Sequence, residues 1–384
     1  MNIWVMLGYE DKKSLKINRL YLRNFRNYID LDIEFNDKLN IIIGNNAQGK
    51  TNILEAIYFL SITKSFLSVN DKTLIFRDKE FSIIKGDIVN SSFNKKLSIL
   101  INDSGKKIEV NQKIIKRNID YLGNLRVIIF SPDDIRLLKD SPGNRRRFLN
   151  IELSQLYDKY VKLLSEFNII LKQRNEYLKI IKNGNYNQEY FDILNNKYVD
   201  LAVLIYIYRN NFINMINKYI STKYYFISGD RDLVVKYVTD IEISDREVMK
   251  NNLLNKLIDS KNREIMYGNT MIGPHKDNFC FYLNESNLSL YGSQGQLKMA
   301  ILALKLAEID VFKSISSETP VLLLDDIFSE LDIEKRNKLI KFLNDDVQTI
   351  MTTTDLSEID DSLVKIANIY KIENGQIIEK INNN

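Results

Sequence analysis

The sequence predicts an α/β domain split by a compact, mainly helical insert. Three observations carry that prediction: strand-like text from Leu15 to about Val127, a change to helical apolar spacing from Arg145 to about Ser221, and a return of strand text at Asn278. With 384 residues, 45% of them hydrophobic, the chain can form two or three domains with sizeable cores.

Taken in order, Met1 to Ser14 mix apolar and charged types without a period and read as an extension ahead of the first strand. Runs at Leu39 to Ile43, Phe81 to Ile88 and Leu97 to Ile101 read as strands, interrupted by a helix from Lys50 to about Leu60. In the insert, Leu149, Leu153, Leu156, Tyr160, Leu164, Phe167 and Leu171 recur three or four apart, as one face of a helix does. Asn183, Gly184 and Asn185 break this pattern into a helical hairpin far shorter than a coiled-coil arm. Tyr224 to Asn269 reads as mixed. Strand text at Asn278 to Leu283 then leads to a helix from Gln296 to Lys313. Pro320 opens the apolar strand Val321 to Leu324, Val347 to Met351 is a further apolar run, and a closing pair lies near Ile366 to Ile378.

Composition excludes several classes. One cysteine, Cys280, and one histidine, His275, cannot build an internal disulfide or a zinc cluster, so any metal must take oxygen ligands. No run of about eighteen apolar residues occurs and the first residues lack the pattern of a secretory signal, so a cytoplasmic protein with no membrane partner is expected. Lys plus Arg 54 against Asp plus Glu 50 gives +4, which does not by itself mark a nucleic-acid binder.

Gly44, Asn45, Asn46, Ala47, Gln48, Gly49, Lys50 and Thr51 match GxxxxGK[ST] between an expected strand and an expected helix. Glycines let backbone N–H groups converge on phosphate oxygens, the helix start adds a favourable dipole, Lys50 supplies charge and Thr51 offers a hydroxyl to Mg2+. An accidental tight turn would lack the flanking strand and helix. ATP with Mg2+ is the expected cofactor pair. The strand Val321 to Leu324 ends in Asp325 and Asp326, which in a parallel sheet emerge at the same edge as the glycine loop. Asp325 is expected to hold the metal and Asp326 to orient or activate the attacking water. On its own, an apolar strand ending in Asp is an ordinary turn.

Tyr291 and Gly292 lead into Ser293, Gln294, Gly295 and Gln296, a polar loop opening a helix, whose bland reading is a helix cap. This loop resembles the signature loop of ABC-type ATPases, and Ser329 to Asp332 resembles their dimer-contacting loop. The resemblance implies an ATPase head, a mixed sheet with helices, in which Ser293 and Gly295 act in trans on ATP held by a second copy. An ATP-dependent homodimer follows from it. The expected organisation is an extension 1–14, an N-terminal ATPase part 15–130, a helical insert 131–271 and a C-terminal ATPase part 272–384.

Leu22 to Tyr28 resembles the opening of the chromosome-maintenance and RecF branch. Ser131 to Asp134, Ser141 to Leu149 and Gly273 to Asp277 resemble the RecF family in particular. That resemblance implies recombinational repair and replication on single-stranded or gapped DNA, supporting RecA loading with RecO and RecR and the SOS response. Two departures from the wider ABC pattern, Asp326 for Glu and Thr354 for a switch histidine, imply slow, DNA-stimulated hydrolysis. The competing readings are the nucleotide-binding subunit of a membrane transporter, disfavoured by Thr354, and a chromosome-maintenance ATPase head, disfavoured by the short insert.

Nothing reads bases, so DNA contact is expected to be backbone-directed. Arg145, Arg146 and Arg147, with Arg136 and Lys139 nearby, are candidates, as are Lys106, Lys107, Lys113, Lys116 and Arg117. Such charge runs are otherwise solvated faces.

Overall fold

The computed structural model describes residues 13–90, 93–316, 318–328, 331–343 and 347–382. Residues 1–134, 226–229 and 302–384 form one compact unit; residues 135–225 and 230–301 form another.

The first unit holds two six-stranded sheets. One runs Gln376–Asn382, Asn368–Glu373, Leu39–Ile43, Thr349–Thr353, Val321–Asp325, Val127–Phe130, and is parallel except for its first hairpin. All residues of Val321–Asp325 and Thr349–Thr353 are buried, as parallel strands covered on both faces must be. The other sheet is antiparallel, from Tyr28–Glu34 through Lys16–Phe25, Phe81–Asn90, Phe93–Asn102 and Gly105–Val110 to Lys113–Ile115. Along Tyr28–Glu34, Leu31 and Ile33 face inward while Asp30 and Asp32 are exposed, the alternation of a strand with one wet face. Residues 1–12 of the expected extension lie outside the described residues; Lys13–Ser14 pair in parallel with Glu318–Thr319.

Thr349–Thr353 lies between Leu39–Ile43 and Val321–Asp325, in register with both. Because the three strands point the same way, the loops that follow them open on one edge, where α/β sheets bind ligands. The helix after the glycine loop, Lys50–Ile62, buries Ile53, Leu54, Ala56, Ile57, Phe59 and Leu60 and so anchors that edge.

The second unit is built on the helices Pro142–Leu156, Asp158–Lys182, Gln188–Ser228 and Arg246–Tyr267. The expected break at Asn183 to Asn185 falls between the second and third. Arg246–Tyr267 corrects the mixed reading of 224–269. Its ends are well marked: the Asp245 carboxylate accepts the Glu247 N–H, and Gly268 closes the helix at φ 66°. Its buried stripe of Met249, Leu253, Leu257, Ser260 and Glu264 turns polar halfway, which blurs the hydrophobic period. Strand Asn278–Leu283 pairs antiparallel with Leu233–Val238, so this unit continues to Ile301, past the expected boundary at 271.

Two buried ion pairs lie here, Arg174–Glu264 and Arg209–Asp277. Arg174, with no exposed surface, donates to Glu264 Oε2 at 2.6 Å, Thr270 Oγ1 at 2.7 Å and Asn195 Oδ1 at 2.9 Å. Arg209 reaches Pro274 O at 2.5 Å, Asn150 Oδ1 at 3.0 Å and Asp277 Oδ2 at 3.0 Å. Much of Gly273 to Asp277 is therefore explained as core. The His275 ring packs beside Phe167 and Tyr198, its Nε2 lies 2.9 Å from Thr270 O, and burial pushes its pKa down to about 4.

Candidate nucleotide site

Gly49 adopts φ 106°, a backbone state that suits glycine, and a Cβ there would lie 2.4 Å from the Asn27 side chain. The loop thereby turns straight into the helix at Lys50, leaving the first helical N–H groups without intrahelical partners. Lys50 Nζ donates to Gly44 O at 2.5 Å and Asn45 O at 2.9 Å. Burial lowers the Lys50 pKa, while the charges of Asp326 and then Asp325 oppose the shift.

Two hydroxyls converge on the acidic strand: Thr51 Oγ1 and Thr352 Oγ1 each donate to Asp325 Oδ1 at 2.8 Å. Burial raises the Asp325 pKa, and the two donated hydrogen bonds work against that. Asp326 follows at φ 50°, with its N–H donated to Thr352 Oγ1 at 2.9 Å, so the backbone leaves the sheet at that residue.

Thr51 and Asp325 are oxygen donors that fit a hard dication. Their oxygens lie 2.8 Å apart, joined by a hydrogen bond. No cluster of three or more His, Cys, Asp or Glu suited to a metal occurs among the described residues. No described helix is long and apolar enough to cross a membrane.

The Ser293 loop is exposed at Ser293, Gln294 and Gly295. Ser293 N–H donates to Gln296 Oε1 at 2.9 Å, and Gln296 N–H donates to Ser293 Oγ at 3.3 Å, a reciprocal capping box on the helix Gln294–Ser316. Of the expected dimer-contacting loop, Ser329 and Glu330 lie outside the described residues. Asp332 caps the next helix, accepting the Lys335 N–H at 2.9 Å.

Among the DNA candidates, Arg145 is corrected. Its buried guanidinium donates to Asn278 Oδ1 at 2.5 Å, Leu137 O at 2.9 Å and Asp140 O at 3.0 Å, so it braces a turn and cannot reach a phosphate without breaking these bonds. Arg146 is half-buried and donates to Asp277 O at 2.8 Å, whereas Arg147 is exposed. Lys106 is engaged by Thr63 O and Asp71, both at 2.7 Å, and Lys107 by Glu109 at 2.7 Å on the surface.

Sequence reasoning missed Thr352 as a partner of Asp325, and missed Asn27, Tyr28 and Asn374 as partners of the glycine loop. Thr352 was legible in principle, since the apolar run ending at Met351 is followed by three threonines. Asn374 carried no signal: it is 326 residues from the Gln48 side chain that accepts its N–H at 2.6 Å.

Glycine loop, helix start and carboxylate pair on one edge of a parallel sheet, with a helical unit inserted in the chain between them, define the head of an ABC-type P-loop ATPase. The family profile of the RecF/RecN/SMC N terminal domain matches residues 16–378. The DNA replication and repair protein RecF of Listeria monocytogenes serotype 4b is 40% identical over 367 residues, 94% of this chain and 99% of that one. A solved structure of the recombination mediator protein RecF-ATP in the RecFOR pathway matches at TM-score 0.90 and 31% identity, over 97% of this chain and all of that one. The Smc head domain of Pyrococcus furiosus, at 14% identity, 96% and 97% coverage and TM-score 0.55, shares the fold. The chain belongs to the RecF family.

Proposed function

We propose that this protein is an ATP-dependent DNA-binding factor of recombinational repair and replication that pairs with a second copy around ATP on single-stranded or gapped DNA. The observation that carries the nucleotide reading is the 2.8 Å contact between Thr51 and Asp325, residues 274 apart in sequence, at the edge where the glycine loop lies. Lys50 and the loop N–H groups would bind the phosphates, and Thr51 with Asp325 would hold Mg2+. When bound, that ion supplies neutralisation of phosphate charge. Asp326 would orient the attacking water; its side chain is one methylene shorter than Glu, and Thr354 cannot accept a proton as imidazole does, so turnover is slow.

The exposed loop Ser293 to Gln296 opens a helix N-terminus, a suitable surface for the terminal phosphoryl group held by another copy. Grip from two chains makes pairing depend on the triphosphate and makes hydrolysis the release. Arg146, Arg147 and Lys107 are among the side chains suited to phosphate-directed DNA contact, which should weaken steeply with salt. RecR, RecO and RecA are the functional partners that membership of the family supports.

Sizing the protein with and without ATP and gapped DNA, beside Lys50→Met and Ser293→Arg, tests the scheme. Pairing should require ATP. Lys50→Met should weaken nucleotide binding, and Ser293→Arg should bind ATP yet stay monomeric. A wild type that is equally dimeric without nucleotide would sink the proposal.

A further inference from the structure

Arg26 and Asn27 form a two-residue hairpin turn between strand partners Phe25 and Tyr28. The turn is fastened to the glycine-loop helix by Arg26, whose guanidinium reaches the fully buried Glu55 through Nε at 2.7 Å and Nη2 at 2.6 Å. It is fastened to the loop itself by Asn27, whose Nδ2 donates to Gln48 O at 2.9 Å, and by Tyr28, whose hydroxyl donates to Gly49 O at 3.0 Å. Asn52 Nδ2 donates to Asn27 Oδ1 at 2.9 Å and so fixes which way the amide faces. The turn of the closing hairpin joins at the same carbonyl: Gly375 N–H donates to Gln48 O at 3.3 Å, and Asn374 N–H to Gln48 Oε1 at 2.6 Å. The fit is close, since a Cβ on Gly375 would lie 2.4 Å from Asn27 O.

In a trans peptide the carbonyl and the following N–H point in opposite directions. Holding Gln48 O and Gly49 O outward therefore holds the N–H groups of Gly49 and Lys50 inward, toward the hollow of the loop. We infer that Asn27, oriented by Asn52 and seconded by the Asn374–Gly375 turn, is a positioning residue that presets the donors of the phosphate cradle before nucleotide arrives. A loop preset in this way loses less freedom on binding, which appears as affinity. The inference rests on the nucleotide reading proposed above.

Equilibrium titration with ATP and with ADP, on the full chain of wild type, Asn27→Ala and Asn52→Ala, tests it, with apo thermal melting alongside. Asn27→Ala should weaken both nucleotides by about tenfold, because the peptides concerned serve the α and β phosphates common to both. In steady-state hydrolysis the loss should fall on KM, with kcat retained. Asn52→Ala, which removes only the orienting bond, should move the same way by about threefold, and it keeps the test open if the first variant does not fold. Wild type that fails to bind ATP overturns the nucleotide reading and the inference with it. Wild type that binds, with both variants binding as tightly, overturns the inference alone. A fall in melting temperature with unchanged affinity assigns Asn27 to structure and also overturns it.

Discussion

Replacing Ser293 by Asp separates two roles that the serine can fill together. As a helix cap Asp matches Ser, since its carboxylate can accept the Gln296 N–H that Ser293 Oγ accepts at 3.3 Å. Its charge is favoured at a helix N-terminus by about 0.3–1 kcal/mol, so the melting temperature of the monomer should hold or rise slightly. Opposite a phosphoryl group on a second copy the same charge is repelled. Two unit charges about 4 Å apart cost about 1 kcal/mol in water and about 4 kcal/mol at an effective dielectric constant of about 20. A two-fold dimer has two such contacts, so the ATP-dependent dimer constant should weaken at least about tenfold. Sedimentation velocity in ATP, in an Asp326→Asn background to slow turnover, reads that constant directly. Ser293→Asp protein that pairs with wild-type affinity would refute the trans contact and leave Ser293 a cap only.

Other outcomes follow from buried groups. Glu264→Ala leaves the Arg174 guanidinium buried without its carboxylate and should cost about 3–5 kcal/mol in urea denaturation; a loss below about 1 kcal/mol would contradict the buried-pair account. For His275, the folded pKa of about 4 lies below the ordinary 6.5, so the unfolded chain takes up a proton that the folded chain refuses. Relative to His275→Asn, wild type should thus lose up to about 3 kcal/mol as pH falls from 6.5 to 4, with the full contribution present above 6.5; a pH-independent difference would be the contrary result. Thr51→Val removes one of the two paired oxygens, and ATP affinity measured in magnesium should then approach that measured in EDTA.

What could be read from the sequence depended on how locally each feature is encoded. Leu39–Ile43 and Val321–Asp325 were legible because a buried parallel strand is a dense apolar run with clear ends. The helix Arg246–Tyr267 was not, because its inward stripe passes from Met249 and Leu253 to Ser260 and Glu264, while its real markers, Asp245 and Gly268, are single residues. Arg145 sits in a run of three arginines that reads as one surface, yet its partner Asn278 is 133 residues away and draws it inside. The glycine loop was visible as a motif, whereas the bonds that hold it from Asn27 and Gly375 exist only once two distant hairpins meet it.

The position of Thr349–Thr353 between Leu39–Ile43 and Val321–Asp325 bears on how the protein emerges from the ribosome. Thr51 and Asp325 are 274 residues apart, so at roughly 5–20 residues per second the earlier half of the site waits about 15–55 seconds for the later one. Through that interval the Leu39–Ile43 strand has no Thr349–Thr353 neighbour, and its apolar edge is open to wrong partners. Conditions that prolong translation should therefore increase the demand of this chain for chaperones, while the helical unit between, with contacts of its own, can condense meanwhile.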